Sequence, residues 1–246
     1  MRYRRMSLVG IDGSGKSSCL EDITEKLTHT DMAAIGDTIL IRKNGVLEKL
    51  EGFIFEIGAF LGKKAKGINN RSLYKLLKLF DLLIRAKAQS VIEDKYKVKL
   101  LVTDGAPLVN ILGWGSLYYR KLLTQELLKE CILYLTGNKI PWKSKFYFLR
   151  NLPEVFFINL FSIKLQKPDV IFFLKTDPQM AISRIKTRDQ KRQIHETEEF
   201  LYNLQEAYCM VCKFLSSEVK IYNIDTDKKT KDMIVFDILK KIYENN

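Results

Sequence analysis

Residues Gly10-Ile11-Asp12-Gly13-Ser14-Gly15-Lys16-Ser17 fit the pattern G-x-x-x-x-G-K-[ST] and follow directly on the apolar run 6–9. A glycine-rich turn between a strand and a helix is a phosphate cradle. Its glycines let the backbone wrap closely enough for successive N–H groups to point at phosphate oxygens. Lys16 has the length to reach β- and γ-phosphates, the Ser17 hydroxyl is placed to ligate Mg²⁺, and the helix starting near Lys16 adds its positive end. Beyond the loop, Leu20, Ile23 and Leu27 recur at helical spacing. Strand, cradle and helix in that order demand an α/β fold.

The 246 residues, 46% hydrophobic and 28% charged, suffice for one sizeable α/β core with elaborations. Four cysteines in a chain of this length make no disulfide framework, and nothing at the N-terminus reads as a secretory signal, so a reducing cytoplasm is expected. Cys209-Met210-Val211-Cys212 has CxxC spacing but lies in a helical pattern without a second Cys or His pair to complete a zinc site. A net charge of +12 points to an anionic partner. The basic residues are scattered rather than gathered in an aromatic-interleaved stripe, which argues against dedicated nucleic-acid binding. The apolar stretch 146–165 is broken by Arg150, Asn151, Pro153, Glu154 and Asn159 and is too short to span a bilayer. It reads first as a buried helix, with an interfacial helix seated on a membrane or a partner as the alternative.

Strand-like runs recur at 6–9, 38–41, 100–103, 170–174 and 219–223, separated by helix-period segments. Such alternation predicts βαβ units and a parallel sheet whose ligands bind beyond the carboxyl ends of the strands. Two intervals exceed a simple crossover. Residues 45–98 are expected to hold two helices, and 116–167 one or two helices plus an irregular turn at 137–144. Both are read as insertions (about 45–75 and 116–167) in a single domain.

A second cluster of chemistry follows the fourth run. Asp177-Pro178 opens a helix, because aspartate favours the cap and proline is tolerated in the first turn. Arg184, Arg188 and Arg192 recur every four residues and would form one cationic stripe, a lid at about 184–196 that neutralises a transferring phosphoryl group. Asp104, ending the third run, would face the crevice beside the loop and hold Mg²⁺ or orient an acceptor.

Taken together, these segments resemble the thymidylate kinase family of P-loop nucleotide kinases. Residues 10–18 resemble that family's G-[LVI]-[DE]-G-x-G-K-[ST]-[ST] loop, and 167–174 with Asp177-Pro178, Ala181, Arg184 and Arg188 is similar to its P-D-x-x-x-x-L…D-P-x-x-A-x-x-R-x-x-x-R segment. The resemblance implies a P-loop NTPase three-layer sandwich with a five-stranded parallel sheet ordered 2-3-1-4-5. It implies ATP and Mg²⁺ as cofactors, with Gly10, Gly13, Ser14, Gly15, Lys16, Ser17 and Ser18 on the donor. Ser17 and Asp104 would hold the metal, and Lys16, Asp104, Arg184, Arg188 and Arg192 would act in transfer. Asp12, Arg42 and Lys87 would face the acceptor, and a homodimer is compatible with it.

The acceptor half departs from the family pattern. Family members carry Asp-Arg-[Tyr/His] after the third strand, where this chain has Asp104-Gly105-Ala106. Lys87 in Ala86-Lys87-Ala88-Gln89 stands where a phosphate-binding arginine is usual; it keeps the charge but not the planar fork, and Arg85 would compensate if the register is shifted. Gly113-Trp114 falls near the family's thymine-reading Tyr-Gln segment. The expectation is therefore ATP-dependent phosphoryl transfer to a small anionic acceptor through an altered acceptor site. The alternatives are a kinase for another small molecule and an ATP-binding regulatory module.

Overall fold

The computed structural model describes residues 3–52, 56, 57, 60, 61, 64, 68, 70–118, 124–187 and 196–244. Its centre is a seven-stranded sheet. Strands β1 (Arg5–Val9), β2 (Met32–Ile35), β3 (Ile39–Lys43), β4 (Val46–Lys49), β5 (Leu100–Asp104), β6 (Val170–Lys175) and β7 (Lys220–Asp225) lie in the order β4-β3-β2-β5-β1-β6-β7. The five strands β2, β5, β1, β6 and β7 run parallel, with β1 hydrogen-bonded to β5 on one side and β6 on the other. Their order is the expected 2-3-1-4-5, but the count is seven, and the second parallel strand is not the run 38–41.

That correction has a local cause. Met32-Ala33-Ala34-Ile35 carries little β-branched signal, yet all four residues are buried between β5 and β3. The run at 38–41 belongs to β3, which pairs antiparallel with both β2 and β4. Asn44 and Gly45 join β3 to β4 with φ of 52° and 81°, the doubly left-handed turn that the Asn-Gly pair favours in a two-residue hairpin. β4 is exposed along its whole length and closes that edge of the sheet.

Helices cover both faces. Successive residues of β6 point to opposite sides: Val170, Phe172 and Leu174 join one core cluster, Ile171 and Phe173 the other. This is why the strand reads as unbroken apolar sequence rather than an alternation. On the first face α1 (Lys16–Lys26) packs beside α9 (Lys231–Tyr243), burying Leu20 and Ile23 with Val235 and Ile238. On the second lie α2 (Arg71–Tyr96), α3 (Pro107–Tyr118) and α8 (Glu198–Leu215), with Leu82, Leu83, Leu108, Leu112, Leu204 and Val211 in one core. The arrangement is a three-layer α/β sandwich. Thr197 and Thr230 cap α8 and α9 by accepting from the N–H groups of Phe200 and Met233.

The interval after α3 holds α4 (Gln125–Leu135), α5 (Trp142–Asn151) and α6 (Pro153–Leu160). The stretch 146–165 is therefore not one buried helix. Pro153 starts a new helix after Leu152; Phe148 on α5 and Val155 and Ile158 on α6 are buried, Tyr147, Leu149 and Phe157 are partly buried against the same core, and Trp142, Phe146, Phe156 and Leu160 are exposed. No described helix is long and apolar enough to cross a membrane.

Candidate active site

The loop leaving β1 turns over the carboxyl end of the central strand, the position expected of a ligand site in a parallel sheet. Gly13 and Gly15 have φ of 82° and 89°, values that disfavour any side chain, and a Cβ on Gly13 would lie 2.5 Å from the Ala181 carbonyl oxygen. Gly15 caps α1 without contributing a side-chain acceptor, so the first-turn N–H groups of that helix remain directed at the loop. The Ser14 hydroxyl is buried without a hydrogen-bond partner. Orphaned donors around a concave loop are the signature of a site built for phosphate oxygens.

Lys16 reaches across the loop, donating to the Ile11 carbonyl at 2.8 Å with Asp12 3.8 Å away. Ser17 donates to Asp104 Oδ2 at 2.5 Å, bringing the head of α1 and the end of β5 together. Two oxygen ligands so placed fit Mg²⁺, which prefers hard oxygen donors and retains part of its water shell. Arg184, on α7 (Pro178–Thr187), donates to the Thr226 carbonyl at 2.8 Å and the Thr226 hydroxyl at 3.2 Å, and approaches the Gly13 carbonyl at 3.5 Å. It ties the loop after β7 to the cradle. Asp177 caps α7, accepting from the N–H groups of Gln179 and Met180. Arg188 and Arg192 lie outside the described residues.

A cavity of about 550 Å³ opens beside the loop, lined by Gly10, Asp12, Gly13, Gly15, Lys16, Ser17, Ser18, Asp104 and Arg184 from the donor side. Its far wall comes from α2, α3 and α8. Tyr74, Lys78, Asp81, Leu82 and Arg85 project from α2, Asn110 and Trp114 from α3, and Leu204 and Tyr208 from α8. Spacing explains α2: 74, 78, 81, 82 and 85 share one helix face.

Two sequence-predicted residues fall elsewhere. Arg42 does not line the cavity; it is buried with its guanidinium donating to the carbonyls of Thr24 and Leu27 at 2.5 and 2.9 Å, closing the C-terminal end of α1. Lys87 is exposed outside the cavity, and Arg85, two residues earlier, faces inward. The guanidinium of Arg85 donates to Asp81 at 3.0 Å and lies 3.7 Å from Asp37. Burial alone would lower its pKa, but Asp81, Asp104 and Asp37 outweigh that, and the guanidinium is held above its ordinary value. Asp81 faces Lys78 with its other oxygen at 3.5 Å.

The missing arginine after Asp104 also has a structural reading. Gly105 has φ of 77°, and a Cβ there would sit 2.7 Å from Asn110 Nδ2. Asn110 accepts from the Tyr208 hydroxyl at 3.0 Å. Burial, with Asp12 adding to it, pushes the Tyr208 phenol above its ordinary pKa, so the group remains a neutral donor. The Tyr208 ring lies against Gly113, where a Cβ would come within 2.6 Å of it. Asp81, Lys78, Asn110 and Tyr208 were not singled out in the sequence. A helical-face reading of 74–85 would have found the first two, whereas Tyr208 reaches the site only through tertiary packing. Cys209 and Cys212 carry free thiols on α8, and no cluster of His, Cys, Asp or Glu able to hold a metal ion occurs among the described residues.

Residues 151–234 match the family model described as thymidylate kinase. A probable thymidylate kinase of Methanocaldococcus jannaschii is 29% identical over 141 residues, covering 55% of this chain and 66% of that protein, just under two thirds of its length. The thymidylate kinase of Leptospira borgpetersenii serovar Hardjo-bovis is 24% identical over 200 residues, covering 81% of this chain and 76% of that one. Among solved structures, deoxyadenosine kinase from M. mycoides with the products dCMP and a flexible dCDP aligns over 97% of this chain and 98% of its own with a TM-score of 0.58. The same enzyme with dCTP gives 0.53 and with dATP 0.52. At 16–17% identity the likeness to these structures is one of fold.

Proposed function

We propose, starting from a chain related to the thymidylate kinases, that it transfers the γ-phosphoryl group of ATP to a nucleotide-class acceptor through a site whose acceptor half has been rebuilt. The observation that carries this reading is the shared cavity: cradle, Lys16, Ser17, Asp104 and Arg184 on one wall, Arg85, Trp114 and Tyr208 on the other.

Backbone N–H groups between Gly13 and Ser18 take the donor phosphates, and Lys16 neutralises charge on the transferring group. Ser17 and Asp104 would hold Mg²⁺, which would supply positive charge to offset that of the donor phosphates. Arg184 holds the loop after β7 against the cradle and so fixes the space left for the donor. The aromatic walls of Trp114 and Tyr208, with Leu82 and Leu204, suit a flat acceptor such as a nucleobase. An acceptor phosphate is already ionised and needs only cations to place it, for which Arg85 is the candidate.

A second reading, a neutral hydroxyl acceptor, is favoured by one observation. Both cations that α2 presents to the cavity are compensated, since Asp81 engages Arg85 and Lys78 with separate oxygens and Asp37 stands beside Arg85. Such a pocket offers little uncompensated positive charge to a second phosphate, and Asp12 or Asp104 would then serve as base. Incubation with Mg²⁺-ATP and a panel of nucleoside monophosphates and nucleosides, following ADP release, separates the readings. Turnover with monophosphates alone supports the first, turnover with nucleosides alone the second, and ATP binding without acceptor-dependent turnover favours a regulatory module.

A further inference from the structure

Away from the cavity, α5 and α6 turn an aromatic face outward. Trp142 is 73% exposed and Phe146, one turn later on the same face of α5, 59%; Phe156 and Leu160 are exposed one turn apart on α6, followed by Phe161. Monomeric proteins rarely leave so many large apolar side chains together in water. The two helices converge at Tyr134 of α4, whose hydroxyl donates to Asn159 Oδ1 at 2.7 Å while Lys145 lies 5.8 Å over its ring. Lys145 and Asn159, the sequence neighbours of Phe146 and Leu160, thus meet at the same side chain.

The surroundings are strongly basic. Lys139, Lys143, Lys145, Arg150 and Lys164 surround these residues in sequence, and the only acid between 138 and 166 is Glu154, which is partly buried and pushed up in pKa by burial. None of Lys139, Lys143, Arg150 or Lys164 forms an ion pair among the described residues. Two copies of the chain meeting through this face would bring like charges together, which disfavours it as a self-association surface.

We infer that the α5–α6 face seats the protein on an anionic lipid surface. Trp142, Phe146, Phe156, Leu160 and Phe161 enter the boundary between headgroups and acyl chains, while the lysines spread along the interface toward the headgroup phosphates. The face continues to the helix that lines the cavity. Phe80 of α2 packs against Phe157 and Phe161, with ring centroids 5.7 and 6.4 Å away, and exposed Leu76 and Leu73 extend its stripe. Lipid contact would thus lie on the opposite side of α2 from Tyr74, Lys78 and Arg85.

Sedimentation of the full chain with vesicles tests this. Vesicles of phosphatidylcholine containing about one third phosphatidylglycerol should carry the protein down at low salt, and release it near 0.5 M salt, where the screening length falls to about 4–5 Å. Phosphatidylcholine alone should not. Phe146→Ser/Phe156→Ser and Lys143→Glu/Lys145→Glu should each weaken binding roughly tenfold or more, with unchanged melting curves showing that both remain folded. Equal binding of wild type to neutral vesicles, no binding to either, or full binding by folded variants overturns the proposal. A wild-type dimer that Phe146→Ser/Phe156→Ser converts to monomer would also overturn it, by assigning the face to a second copy.

Discussion

Ser17 Oγ and Asp104 Oδ2 stand 2.5 Å apart, one at the head of α1 and the other at the end of β5. The parallel pairing of β1 with β5 brings them together: Leu8 pairs with Asp104, so the strand end meets the loop that follows β1. Two oxygens held side by side on a helix and a strand suit a hard divalent cation that keeps several of its waters. Asp104→Asn should raise the Mg²⁺ concentration for half-maximal activity by about tenfold or more, with little change in melting temperature. An unchanged Mg²⁺ dependence in that variant would remove Asp104 from the proposed metal site.

Arg42 makes the opposite prediction. Its buried guanidinium serves the carbonyls of Thr24 and Leu27, not the cavity. Arg42→Ala should therefore destabilise the fold by about 2–3 kcal/mol, the cost of a lost charged donor and its abandoned acceptors, while kcat and KM at low temperature stay within about twofold. A large KM effect for the acceptor without destabilisation would return Arg42 to the site.

These two residues mark what was legible in the sequence. The proposed donor half is a contiguous motif, so Lys16 and Ser17 could be nominated from spacing alone, and Asp104 followed because it ends a strand beside them. The proposed acceptor half draws on side chains of α2, α3 and α8, and a shift of two residues, about 200° around the helix, exchanges Lys87 for Arg85. Arg42 sits at the end of a strand, as in the family pattern, but that strand is the antiparallel β3 of a hairpin, and its side chain turns to α1. Asn44-Gly45 carried the hairpin signal. Met32–Ile35 carried almost none, because its alanines are selected by close packing in the sheet rather than by strand propensity.

Gly113 tests the proposed acceptor wall. A methyl group there would meet the Tyr208 ring at 2.6 Å, and ring displacement would pull the phenol from Asn110. Gly113→Ala should lower kcat/KM for the acceptor by about 10- to 100-fold and leave ATP affinity unchanged. Equal losses for donor and acceptor would indicate general collapse of the cavity.

Glu154 offers a pH test of stability. Burial raises its carboxyl pKa, with its own backbone N–H and Lys75 offsetting part of the effect, and Oε2 has no hydrogen-bond partner. The folded chain therefore holds this proton to higher pH than the unfolded chain. Stability is lost as pH rises from the ordinary glutamate value through the raised folded one, and the full penalty applies above it. Glu154→Gln should raise the melting temperature by about 2–4 °C at pH 7, equivalent to about 1 kcal/mol, with the gain vanishing below about pH 4. A variant that melts with wild type at pH 7 contradicts the assignment.

Phosphoryl delivery from the proposed cradle depends above all on Lys16. ADP release from Mg²⁺-ATP, measured with and without the best acceptor of the panel for wild type and Lys16→Ala, tests it most directly. Wild type should release ADP in an acceptor-dependent way, and Lys16→Ala should lose about 10²- to 10³-fold or more of that turnover with a matching melting curve. Undiminished turnover by a folded Lys16→Ala protein would contradict it.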